Sequence, residues 1–263
     1  MKIGVCVKQV PATDSRIQIQ NAEAGVNTAD VKWEINPYDE FAIELALQMK
    51  EAGQGTEVVV FTIGDKGAEA KVREALARGA DRAVRLEDAA FDGSDSLGTA
   101  RILAAAVQKE EIGIVLTGKQ AVDNDNGMVP AMMAEVLGWA HVQSVDQFEF
   151  AGDSVNCRRP AGGGKTMHLR AKLPAVIGCE KGLNVPRYAS LKGIMMAKRK
   201  KIEVLDAAGL GLDPATVGAA GSSVSVGGWS LPPARPSGRI LEGSTAEVVD
   251  ELVGLLRNEA KVI

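Results

Sequence analysis

The sequence predicts an α/β fold: a parallel-sheet, Rossmann-like domain over residues 1–205 and a C-terminal arm over 206–263. Three observations predict it. Short apolar runs alternate with helical patterns from Lys2 to Leu137. Hydrophobic residues make up 46% of the chain and aromatics only 4%, with 29 glycines. That composition favours tightly packed helix-on-sheet layers over a β-sandwich. From Asp206 onward the chain turns to Gly, Ala, Ser and Pro.

The elements follow in order. Lys2–Val7 is an apolar run and reads as the first strand. Arg16–Gln20 and Val31–Ile35 alternate, as a short antiparallel excursion would. Asn36-Pro37 opens a helix, since Asn is a good cap and Pro suits the first turn. Phe41, Ile43, Leu45, Leu47 and Met49 give that helix a broad apolar surface. Glu57–Ile63 is a strand ended by Gly64. Ala68 to Ala77 is helical, and Gly79 suits the position just past its end. Arg82–Leu86 is strand-like, and Ser94 caps a helix reaching about Glu110. Ile112–Thr117 is the next strand, and Met128–Leu137 the next helix. Strands alternating with helices of this length imply a parallel sheet with right-handed crossovers.

After Trp139 the pattern shortens. Val142–Phe150, Ser154–Arg158 and Thr166–Ala171 read as shorter strands, with the turn Ala161-Gly162-Gly163-Gly164 between two of them. Leu173–Gly178 is one more buried strand. Leu231-Pro232-Pro233-Ala234-Arg235-Pro236 is incompatible with regular structure. A last amphipathic helix runs from Ser244 to about Glu259, with Val248, Val249, Leu252, Leu255 and Leu256 on one side. A loose arm ending in an apolar helix needs a surface to pack on, either its own domain or a partner subunit.

Several function classes are excluded. A net charge of −4 and pI near 5.4 argue against a general nucleic-acid binder. Cys6, Cys157 and Cys179 have no CxxC spacing, and Cys6 and Cys179 lie in strand-like runs, as reduced core residues do. His141 and His168 stand apart, without Cys or carboxylate ligand spacing, and read as sheet residues. No GxSxG elbow appears. Asp123 and Asp125 are two apart in a loop, but acids flanked by Asn are more often loop hydrogen-bonders than metal ligands. The chain enters its first strand at once, so no signal peptide is expected. No run approaches the ~18 apolar residues of a membrane span. The expectation is a soluble protein of a reducing, cytoplasmic compartment, without a catalytic residue or metal.

The richest stretch is Gly118-Lys119-Gln120-Ala121-Val122-Asp123-Asn124-Asp125-Asn126-Gly127. It joins a buried strand to a helix start at Met128. Strand, glycine, polar loop and helix N-terminus together suit an anionic ligand, through backbone N–H groups and the helix dipole. Lys119 adds a point charge, and the Asp/Asn cluster can bind hydroxyls or amides. The loop is neither a Walker A motif nor GxGxxG. The same residues read equally as a polar turn.

Separated blocks in the chain resemble one family. They are Val5-Cys6-Val7-Lys8, Asn36-Pro37-Tyr38-Asp39-Glu40, Ala75–Arg82, Gly118–Asp125 and Leu183-Asn184-Val185-Pro186-Arg187-Tyr188-Ala189-Ser190-Leu191. In these blocks the chain is similar to the β subunits of electron transfer flavoproteins. The likeness runs from residue 1 to about 205 and weakens beyond. It implies an adenine-nucleotide-binding α/β domain in a heterodimer. The α subunit would hold most of a redox-active FAD, and this subunit would bury one AMP. Electrons would arrive from flavin dehydrogenases and leave to a quinone oxidoreductase or another acceptor. The subunit would be an electron carrier component and not an enzyme.

Carried over by resemblance, Cys6 and Lys8 end the first strand at the nucleotide, and Asn36, Pro37, Tyr38 and Asp39 meet the adenosine. Ile63 closes the second strand under the adenine, although it reads equally as core. Gly118, Lys119, Gln120, Ala121, Val122, Asp123, Asn124, Asp125, Asn126, Gly127, Met128 and Val129 wrap ribose and phosphate. Tyr188, Ala189, Ser190, Leu191, Lys192, Gly193 and Ile194 resemble a recognition loop whose exposed leucine anchors dehydrogenases. Lys198-Arg199-Lys200-Lys201 follows and would steer acidic partners; a buried Leu191 and a solvated lysine face are the plain alternatives.

The chain departs from the family pattern at Pro160-Ala161, where many members carry an acid before paired glycines. Electron-bifurcating relatives bind a second FAD in place of AMP, and their loop resembles Asp-Thr-Ala-Gln-Val-Gly. Here it continues Asp125-Asn126-Gly127-Met128-Val129-Pro130, which makes AMP the first choice and a second FAD the alternative. A stand-alone nucleotide-binding protein is the third reading.

Overall fold

The structure, a computed structural model, describes residues 1–21, 25–235 and 237–263. The last residue of the Leu231–Pro236 stretch therefore lies outside the described residues; the rest of it carries no helix or strand, as expected.

The first strand, β1, is Lys2–Cys6. Two short antiparallel pairs follow: β2 (Gln9–Pro11) with β5 (Trp33–Ile35), and β3 (Ile19–Asn21) with β4 (Gly25–Val26). The runs Arg16–Gln20 and Val31–Ile35, expected to form one excursion, do not pair with each other. The chain stays extended past β1, so Trp33–Ile35 returns along that extension. Asn36 N then donates to Lys8 O at 2.9 Å, which sets the next helix beside the end of β1.

Helix α1 is Pro37–Glu51, β6 Glu57–Ile63, α2 Glu69–Arg78, β7 Arg82–Leu86 and α3 Ser96–Lys109. Gly79 ends α2 with φ 132°, a conformation that suits glycine. The cap of α3 is Asp95, which accepts from Gly98 N, and not Ser94. The Ser94 hydroxyl is engaged elsewhere, donating to Phe91 O and accepting from Gly218 N. Then come β8 (Ile112–Gly118), α4 (Val129–Leu137), β9 (Ala140–Val145), β10 (Gln147–Phe150), β11 (Ser154–Pro160), β12 (Thr166–Lys172) and β13 (Ala175–Cys179). The run expected as one strand over Val142–Phe150 is two, because Asp146 breaks away to donate its N–H to Arg158 O. Helix α5 (Leu191–Ala197), β14 (Ile202–Leu205), and short α6 (Ala207–Leu210) and α7 (Gly218–Gly221) lead to α8 (Thr245–Asn258).

The main sheet among the described residues has seven strands in the order β14-β7-β6-β1-β8-β13-β9, every pair parallel. Residues alternate along each strand between its two faces. Ile3, Val5, Val58, Val60, Ile114 and Leu116 pack with α1 and α2, whereas Val59, Phe61 and Val115 pack with α3 and α4. Each such side chain taken out of water contributes roughly 1.5–3 kcal/mol. A second sheet, β10-β11-β12, is antiparallel. The neighbours β1 and β8 send their chains to opposite faces, β1 toward α1 and β8 toward α4. That divergence opens a crevice at their C-terminal ends, where open α/β sheets bind ligands.

The arm begins later than residue 206. Ala207 and Val217 are buried in the α3-side core, and Arg101 Nη1 donates to Thr216 O at 2.8 Å. Residues up to Ser223, whose N–H donates to Asp95 Oδ2, are tied to the domain. By contrast, no residue of α8 is buried, although Ser244 and Glu247 form a full capping box. No helix among the described residues is long and apolar enough to cross a membrane.

Candidate functional site

The crevice is built on three chain segments that meet at Asp39. Asp39 is 5% exposed, and its carboxylate accepts from Lys8 N at 2.7 Å, Asn36 Nδ2 at 2.8 Å and Gly118 N at 3.0 Å. One side chain thus joins the end of β1, the start of α1 and the end of β8. Burial pushes its pKa up to about 7, against the pull of those three N–H donors. Asn36 occupies the cap position of α1, as its type predicts, but makes no cap hydrogen bond. It reaches across the crevice instead. Nδ2 donates to Gln120 O at 2.8 Å, and Oδ1 accepts from Val122 N at 3.1 Å. Pro37 sits in the first turn of α1, as expected.

The loop after β8 is held at several points. Lys119 N donates to Cys179 O, and its Nζ pairs with Glu180 at 2.8 Å and lies 4.8 Å from the centre of the Tyr38 ring. Burial opposes the Lys119 charge, but Glu180 and Tyr38 hold its pKa above the ordinary lysine value. Lys8 Nζ pairs with Asp123 at 2.7 Å, and Gln120 Nε2 donates to Asp125 Oδ1 at 2.7 Å. Asp125 and Gly127 take φ of 50° and 61°, which turns the chain into α4. Both lysines are therefore already paired, and the positive potential left for an anion is that of the α4 N-terminus. That end carries no side-chain cap, so its first N–H groups are available to a ligand. Asn124 and Asn126 lie on the outer rim, Asn126 Nδ2 donating to Ser96 Oγ at 3.4 Å. Ala121 and Val122 line the half-exposed inner turn, and Met128 is 49% exposed at the helix start. Cys6 is buried, and Ile63 packs half-buried against the α3-side core. Burial raises the pKa of all three thiols, Cys157 to about 11, so none is poised as a thiolate.

A second surface lies behind α1. Arg187 grips Glu44 through Nε at 2.8 Å and Nη2 at 2.9 Å, and also pairs with Glu51. Asn184 Nδ2 donates to Phe41 O at 3.0 Å. Gly193 crosses α2 so closely that a Cβ would stand 2.1 Å from Ala77 O. On this mount, Tyr188 is 95% exposed and Leu191 83%. Leu191 is not a loop residue but the first residue of α5, capped by Ser190, which accepts from Gly193 N. Ala189 turns inward to the core, while Lys192 and Ile194 face out. Within the basic run, Lys198, Arg199 and Lys201 are exposed, but Lys200 turns inward and donates to Ala80 O.

Residues 24–210 match the model of the electron transfer flavoprotein domain. The chain belongs to the electron transfer flavoprotein β-subunit family. Similar proteins named electron transfer flavoprotein subunit beta come from Syntrophomonas wolfei (37% identical, covering 100% of this chain and 98% of the relative) and Bacillus subtilis (35%, 100% of both). A relative of the same name from Mus musculus is 36% identical over 98% of this chain and 97% of its own length. Family membership displaces the stand-alone reading.

Sequence reasoning missed three residues that shape the family's crevice and its second surface here. Glu180 holds Lys119, Glu44 holds Arg187, and Gln143 donates to the Lys119 and Gly127 carbonyls. Glu44 carried one signal, an acid among the apolar positions of α1. Gln143 and Glu180 carried none beyond their polarity.

Proposed function

We propose that this β subunit holds one AMP in the crevice between β1 and β8, with its phosphate at the N-terminus of α4. The observation that carries the reading is that uncapped helix end, with the Gly118–Val129 loop fastened around it. Asn36, Tyr38 and Asp39 would face the adenosine from α1, with Cys6, Lys8 and Ile63 at the strand ends. AMP supplies no redox chemistry. The protein's part is to bind and orient it, through backbone donors and a helix dipole that suit a phosphate.

The partner is an electron transfer flavoprotein α subunit that holds most of the FAD. Support comes from the residues after Ser223: Val249 and Leu252 of α8 are 51% and 45% exposed, an apolar stripe left about half open among the described residues. Flavin dehydrogenases would dock at Leu191, whose exposure on a rigid mount suits an anchor, and a quinone oxidoreductase or another acceptor would take the electrons. A visible absorption spectrum of the purified heterodimer tests this reading. One flavin per heterodimer supports it, and two flavins would put FAD in the crevice.

A further inference from the structure

Two irregularities in β9 re-aim the side chain of Gln143. The β9–β13 register shifts between Ile177 and Cys179. The residue after Gln143, Ser144, takes φ 58°, a left-handed conformation that a serine adopts only at a cost. Such a bulge turns a side chain out of its row. The Gln143 amide ends at the ligand loop. Nε2 donates to the carbonyls of Lys119 and Gly127, the latter at 3.2 Å. These carbonyls stand at the two ends of the loop, one just after β8 and one just before α4. A single amide therefore closes the loop at its base. Two carbonyl acceptors also fix which way the amide faces, since a flipped group would set oxygen against both. Oε1 is buried without a partner among the described residues. It occupies the space left by Gly178, where a Cβ would stand 2.0 Å from it.

The peptide unit is planar and trans, so its C=O and N–H point in opposite directions. With the Lys119 and Gly127 carbonyls turned to Gln143, the N–H groups of Gln120 and Met128 point away from it. Neither has an acceptor among the described residues. We propose that Gln143 is the positioning residue of this loop: its amide aims the Gln120 and Met128 N–H groups at the anionic group of the bound nucleotide. The inference rests on reading the crevice as a nucleotide site. Gln143 itself touches no ligand.

The test uses the chain copurified with its partner subunit, freed of nucleotide and titrated with AMP by calorimetry. The variants are Gln143→Met, Gly178→Ala and the double variant. Gly178→Ala leaves the loop untouched but displaces the Gln143 amide. Each single variant should bind AMP about tenfold more weakly. The double variant should be no weaker than either alone, because both act through one contact. The nucleotide-free complexes should stay folded, and the same AMP concentration should raise the melting temperature of each variant less than that of wild type, a ligand-linked difference that a purely structural Gln143 would not produce. Wild-type affinity in Gln143→Met or in a folded Gly178→Ala overturns the inference while leaving the nucleotide site in place. A wild-type complex that binds no AMP overturns the reading of the crevice itself.

Discussion

Gly118 and Asp39 are in contact so close that any side chain at position 118 would have to push Asp39 and Tyr38 aside. Gly118 N donates to Asp39 Oδ1 at 3.0 Å, and a Cβ on Gly118 would stand 2.4 Å from that same oxygen and 2.7 Å from Tyr38 Cβ. Its φ is not left-handed, so the need for glycine is one of space. The contact brings the start of α1 against the end of β8 and so sets the width of the crevice.

Gly118→Ala should therefore destabilise the chain by roughly 1–3 kcal/mol, the range for overpacking a filled site, and weaken nucleotide binding as α1 is pushed back. Urea unfolding and AMP titration check both. An unchanged unfolding midpoint would mean that the two segments are not tightly joined.

Asp39 gives the chain a pH dependence of defined sign. Its folded pKa is pushed up to about 7 by burial, whereas the unfolded carboxyl titrates near 4. The folded state holds the proton more tightly, so the Asp39 contribution to stability is greatest below about 4. It declines as pH rises to about 7 and is flat above. Melting temperatures of wild type and Asp39→Asn at pH 5 and 8 isolate it. The wild type should lose ground relative to the variant at pH 8, and a gain would contradict the assignment.

Leu191→Ala should leave the fold nearly untouched, since the side chain is 83% exposed and surface changes cost within about 0.5 kcal/mol. Electron transfer from a dehydrogenase should slow by about 30-fold at limiting concentration, the effect of losing a hot spot of about 2 kcal/mol. Loss of stability with normal transfer would make Leu191 a packing residue.

Truncation after Ser223 should leave a folded domain that no longer holds the α subunit. A cut after Leu205 should do worse, because it removes Ala207 and Val217 from the core. Copurification of the Ser223 truncation with the α subunit at full yield would show that α8 is not the clasp.

Much of the fold was legible because the apolar runs are short and cleanly bounded. Arg82–Leu86 and Glu57–Ile63 were read with the ends they have, since glycines and charged residues punctuate them. The crevice was legible for the same reason, its residues lying at strand ends and in the loops after them. What failed was tertiary. Asn36 has the look of a helix cap, but its side chain is drawn across to a carbonyl acceptor at Gln120 and an N–H donor at Val122, 84 and 86 residues away. Lys200 belongs to a basic run, yet it alone finds a carbonyl to reach. The Arg187–Glu44 pair spans 143 residues, and no local pattern marks either partner for the other. The arm was placed too early because Ala and Gly between 206 and 221 resemble a linker, while Val217 anchors them.

If the crevice holds AMP, the nucleotide can be recovered directly. The purified heterodimer is denatured by heat, and the released nucleotides are separated and quantified against protein. One AMP and one FAD per heterodimer are expected. Two FAD per heterodimer and no AMP would contradict AMP in the crevice.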